Sequence, residues 1–108
     1  MRVQGLSATL TWADGQIVIE HTRAAQHWGA PAVTRVAEAS VVGAGWQPPN
    51  LIRNGMLQIQ VAGVDPQRMQ PSDPHTIVFT SRSRAHFEHL RHQLMEMASQ
   101  RERGNDGA

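Results

Sequence analysis

Leu6-Ser7-Ala8-Thr9-Leu10-Thr11-Trp12, then Ala13-Asp14-Gly15-Gln16, then Ile17-Val18-Ile19-Glu20-His21-Thr22 is the stretch that decides the fold. Strict alternation puts Leu6, Ala8, Leu10 and Trp12 on one face and Ser7, Thr9 and Thr11 on the other, the pattern of a half-buried strand. Gln16 to Thr22 is again rich in branched apolar residues. Asp14-Gly15 between the two supplies the positive φ angles of a tight two-residue turn, so the spacing predicts an antiparallel hairpin.

Downstream the same reasoning continues. Arg23 to Pro31 follows neither period and reads as a connection with a short helical turn at its start. Strand character returns at Ala32 to Ala37 and at Glu38 to Trp46, where Gly43 and Gly45 predict a bulge or sheet corner. Gln47-Pro48-Pro49-Asn50 ends pairing, and Asn54-Gly55 gives a second turn signal. Met56 to Val61 alternates Leu57, Ile59 and Val61 against Met56, Gln58 and Gln60. Val64 to Pro74 is proline-rich and polar, a solvated loop and the expected mobile segment. His75 to Thr80 is the last strand. Ser81 then stands where a helix cap belongs, and from Arg82 Phe87, Leu90, Leu94 and Met97 recur at helical spacing. This helix is predicted to run to about Arg103, with Arg101 and Arg103 complementing its dipole and Gly104 stopping it. Residues 104–108 are expected to form a flexible tail.

The 108 residues make one domain over 1–108, with a core from about 5 to 103. There is no cysteine, which removes disulfides, thiolate nucleophiles and cysteine-ligated zinc together. No apolar run matches a signal peptide or a membrane span, so a cytoplasmic location is expected. Ten basic residues, all arginine, nearly balance nine acids, for a net charge of +1. That balance argues against a dedicated nucleic-acid binder, which clusters its cations along one face. A GC-rich coding background is the favoured explanation of the all-arginine usage, and planar anion recognition is the alternative.

The order of these segments resembles a pleckstrin-homology-like (PH-like) barrel, two roughly orthogonal antiparallel sheets capped by a C-terminal helix. More specifically, Ala8 to Ile19, Trp46 to Ile59 and His75 to Thr80 resemble an uncharacterised bacterial family of such domains. Its members carry an Asp-Gly first hairpin, a proline-containing loop before Asn-Gly and a Val-Phe-Thr strand leading into the helix. Members of that family are often joined to a short oligomerisation module of the SHOCT type, which is missing from this chain. The resemblance implies a scaffold and no chemistry.

Candidate functional residues follow from exposure and charge. Trp12 shares the face of Leu10 and belongs in the core. Trp28 and Trp46 border Gly or Pro; core packing is the favoured reading of each, while an exposed indole beside Pro48, Pro49, Leu51 and Arg53 would be an apolar patch that anchors a partner. Arg82 and Arg84 sit where positive charge opposes the helix dipole. Pairing of Arg84 with Glu88 is the favoured explanation, and an anion held by Arg82, Arg84 and the helix start is the alternative. His86, His89 and His92 recur every third residue but fan away from the apolar stripe, so a solvated face is expected rather than a metal site.

The acids are scattered, and no phosphate loop, nucleophile elbow or carboxylate pair is present. Adjacent Glu20 and His21 point to opposite faces of a strand. The sequence therefore predicts a non-catalytic module without cofactor or metal that binds a protein partner or itself. The alternative is an anionic membrane surface, for which the first hairpin, Asp14-Gly15, lacks the expected cations.

Overall fold

The computed structural model describes residues 1–106, and the side chains of 1–102. Asp14 (φ 54°) and Gly15 (φ 75°) both take the left-handed conformation, which makes the two-residue turn the sequence predicted. They join β2 (Ala8–Ala13) to β3 (Gln16–His21) in antiparallel register, Leu10 opposite Ile19 and Trp12 opposite Ile17. Leu10, Ile17 and Ile19 are wholly buried, whereas Thr9, Thr11 and Val18 on the other face are only partly covered.

A short strand that the sequence reading passed over, β1 (Arg2–Gln4), pairs with β2 and buries Val3. The expected first strand therefore begins two residues late, at Ala8. Residues 5–7 instead turn onto another strand, which reverses two assignments. Leu6, placed in the core by alternation, is exposed, and Ser7, placed outside, is buried. Ser7 Oγ accepts from the Val78 N–H at 2.8 Å, the Leu6 N–H donates to the Val78 carbonyl at 2.7 Å, and the Thr22 N–H donates to the Ser7 carbonyl at 2.9 Å. Such fixed backbone partners outweigh a face preference.

Thr22 caps the short helix α1 (Arg23–His27) by accepting from the Ala25 N–H, as serine and threonine caps do. β4 (Val33–Ala37) then completes a four-stranded sheet of order β1-β2-β3-β4. A single 3-10 turn, Glu38–Ser40, replaces the first part of the strand expected over Glu38 to Trp46. β5 (Val41–Gln47), β6 (Gly55–Val61) and β7 (Thr76–Phe79) form a second, three-stranded sheet, with a register shift between Val41 and Gly43 where the glycines predicted it.

The long helix α2 (Arg84–Asp106) buries Phe87, Leu90 and Leu94 completely and packs Met97 at the margin, as the stripe predicted. These side chains meet Leu57, Ile59, Ile77 and Phe79 of the second sheet and Leu10, Ile17 and Ile19 of the first in one core. Each fully buried side chain of this size contributes about 1.5–3 kcal/mol by leaving water. Phe87 stacks on Phe79 with ring centroids 4.4 Å apart, and Trp46 lies against Phe79 at 5.3 Å.

Three further expectations change. Ser81 opens a 3-10 turn, Ser81–Ser83, instead of capping α2. The helix also continues through Gly104 to Asp106, at a cost for glycine in a helix of only about 1 kcal/mol. Residues 107–108 of the expected tail lie outside the described residues. Finally, the two sheets are not closed into a barrel. Among the described residues no strand ladder crosses between them; the bonds at Ser7 and the 3-10 turn join them at corners.

Candidate functional site

One end of the molecule gathers apolar side chains that nothing covers. Trp28 follows α1 as its C-terminal cap and is 69% exposed. The favoured expectation that Trp28 plugs the core is therefore overturned. The Gln26 side chain donates to the His21 carbonyl at 3.0 Å, and Gly29 turns the chain back with φ 115°, so α1 holds the indole outward. Leu6, Ala24, Trp28, Asn54 and Pro71 line a cleft of about 250 Å³ beside it. Four separate connections of the chain meet in this one recess.

The loop between β5 and β6 projects at the same end, since its last residue, Asn54, forms part of the cleft wall. Pro49 is buried beneath it, while Pro48 and Arg53 are exposed. The Asn50 N–H donates to the Arg53 carbonyl at 2.9 Å, and Asn50 Oδ1 accepts from the Ile52 N–H at 2.9 Å, an Asx-type turn. Gln47 ties the loop base by donating to the Asn54 carbonyl. The outcome is a braced tip from which Leu51 and Ile52 stand fully in water, at 105% and 96% exposure.

Trp46 does not join this surface. It is half-buried, packed on the core, and the Arg91 guanidinium lies 5.3 Å above its ring. Arg84 donates to Glu88 at 3.0 Å, the ion pair anticipated from their spacing, and Arg82 is exposed nearby in sequence. His86, His89 and His92 are exposed. Among the described residues no group of three or more His, Asp or Glu is placed to hold a metal ion, and no helix is long and apolar enough to cross a membrane.

A buried polar cluster holds the loop that precedes β7. His21 Nε2–H donates to the Pro74 carbonyl at 3.1 Å and lies 3.2 Å from Thr34 Oγ1. A carbonyl only accepts, so the proton sits on Nε2, and Nδ1 is left buried without a partner. Asp73 Oδ2 accepts from Thr76 Oγ1 at 2.6 Å and from Gln58 Nε2 at 3.1 Å. Gln58 also donates to the Gln67 carbonyl at 2.7 Å. These bonds clamp the Val64–Pro74 loop, expected from sequence to be solvated and mobile, onto β3 and β6. Burial pushes His21 below the ordinary imidazole value, more than the Pro74 carbonyl and Asp73 raise it, and His75 adds to the lowering.

The residues that sequence reasoning missed are Leu6, Ile52 and Pro71. Ile52 alone carried a signal, as the second aliphatic of a proline-flanked loop. Comparison with protein-family models, curated proteins and solved structures gives no match to this chain.

Proposed function

We propose that this chain is a non-catalytic interaction module of PH-like fold, acting in the cytoplasm, that docks a protein partner on the end formed by Leu6, Trp28, Leu51 and Ile52. The observation that carries the reading is the pair Leu51 and Ile52, held in water by a hydrogen-bonded turn rather than folded onto the core. Leaving such side chains exposed forfeits about 1.5–3 kcal/mol each, which a binding role recovers when a partner covers them. A four-stranded sheet, then a three-stranded sheet, then a C-terminal helix is the plan that supports the PH-like assignment.

Binding to an anionic membrane surface is the second reading, favoured by the same aliphatic tip beside Arg53. The Asp14-Gly15 hairpin lies at the other end of β2 and β3 and offers no cation to it. The test is a Leu51→Ser/Ile52→Ser variant. It is expected to melt like the wild type and to lose the partner that the wild type retains on affinity capture from its own cells. Undiminished capture would refute the proposal.

A further inference from the structure

We infer that the partner presented to this face is an acidic peptide segment carrying an aliphatic side chain, an inference that rests on the docking role proposed above. Three exposed arginines stand next in sequence to residues that line recesses at the cleft end. At the cleft end Arg23 precedes Ala24 of the cleft wall, Arg53 precedes Asn54, and Arg82 lies between Thr80 and Ser83, which share a recess with Leu6. All three are exposed, and among the described residues none forms an ion pair. Of the carboxylates at this end, Asp73 is buried in hydrogen bonds and Glu88 pairs with Arg84; Glu20, exposed three residues before Arg23, is in no ion pair among the described residues and leaves the arginines in excess.

Asp14, Glu38 and Glu96 lie at the opposite end, together with the Met1 ammonium and Arg101. Asp14 turns the hairpin, the Glu38 N–H bonds to the Gly15 carbonyl, and Glu38 and Glu96 share a recess with Trp12. α2 runs from the cleft end, where His86 and Leu6 line one recess, to this end, where Arg101 reaches the Val41 and Glu38 carbonyls. Its positive N-terminal pole therefore adds to the arginines, and its negative pole to the acids.

A cleft of about 250 Å³ suits one apolar side chain better than a flat surface. The exposed guanidiniums of Arg23 and Arg53, each next in sequence to a residue of the cleft wall, suit carboxylates. A second copy docking cleft to cleft would bring Arg23 and Arg53 of both copies together, which disfavours a symmetric dimer through this face. A bilayer meets the projecting Leu51 and Ile52 but cannot enter the recess below Trp28. A short acidic chain fills both features at once.

The test is selection of displayed random dodecapeptides on the intact chain, followed by fluorescence anisotropy of labelled synthetic peptides with the enriched sequences. Enriched peptides are expected to place Leu, Ile or Val beside Asp or Glu, and to bind more weakly as salt is raised. Arg23→Glu/Arg53→Glu is expected to weaken them roughly tenfold, while circular dichroism shows the fold intact; Arg23→Gln/Arg53→Gln, expected to weaken them less, is the milder check. Enrichment without an acidic excess, affinity unmoved by charge reversal, or no enrichment would overturn the inference. If those peptides still need Trp28 and Leu51, the docking face stands and only the partner's chemistry is wrong. Indifference to Trp28→Ser and Leu51→Ser refutes the docking reading itself. Co-sedimentation with phosphatidylcholine–phosphatidylglycerol vesicles that outcompetes the peptides would also overturn the inference in favour of a membrane. Low-salt self-association in sedimentation velocity, abolished by Asp14→Arg/Glu38→Arg, would overturn it in favour of a second copy stacked acidic end to cleft.

Discussion

His21 is the residue at which burial and titration meet. Its Nε2–H holds Pro74, and its Nδ1 has no partner, so a second proton would place a charge where little answers it. Burial lowers the folded-state value below 6.5, the value the unfolded chain keeps. The unfolded state thus binds the proton first as pH falls, so stability is complete above about pH 6.5 and declines as pH drops from there through the lowered folded value. Melting temperatures between pH 7.5 and 5 are expected to fall for the wild type and to fall less for His21→Asn; equal slopes would refute this role. Alternation showed that Glu20 and His21 face opposite ways, but it gave no sign of Pro74, which lies 53 residues further along the chain. Gly55 teaches the complementary lesson. Asn54-Gly55 reads as a turn, yet Gly55 begins β6, and a Cβ there would collide with the Phe79 ring. Gly55→Ala is expected to destabilise the fold by about 1–3 kcal/mol in urea titration, as overpacking does, and a neutral result would contradict the packing described.

Among the elements, α2 was the most legible and still held a surprise. The spacing of Phe87, Leu90 and Leu94 is a local property, so the buried face could be named from the chain alone. Leu90→Ala, at a site with no exposure, is expected to cost about 2–5 kcal/mol by denaturant unfolding; less than 1 kcal/mol would place the helix outside the core. Arg101 was read as a complement to the helix dipole. In the fold its guanidinium donates at 2.8 Å to both the Val41 and Glu38 carbonyls and pins the helix to the start of β5. Partners that are backbone carbonyls leave no trace in side-chain pattern. Arg101→Gln is expected to lose about 1–3 kcal/mol by the same measurement, because two partly buried charge-assisted bonds are the ones removed. The first strand failed for a related reason, since the bonds that Leu6 and Ser7 make to Val78 settle their places more firmly than alternation does.

Across the whole molecule, the mainly β order with one closing helix was readable, because each segment declares its period. What was not readable is how corners meet. The separation of the two sheets depends on Ser7 and on the turn at Glu38–Ser40, and the cleft depends on four connections converging from distant parts of the chain. Of the residues singled out beforehand, Trp28, Pro48, Leu51 and Arg53 are exposed around this end, Pro49 supports the loop from below, and Trp46 belongs to the core margin. The account stands on the claim that the aliphatic tip and Trp28 are covered by a partner in the working state. A photo-reactive benzoylphenylalanine placed in living cells at Leu51, at Trp28 and, as exposed controls, at Val42 and Asp14 tests it most directly. The same cross-linked protein is expected from positions 51 and 28 and not from 42 or 14; equal yields at all four, or adducts only from the controls, would contradict the claim.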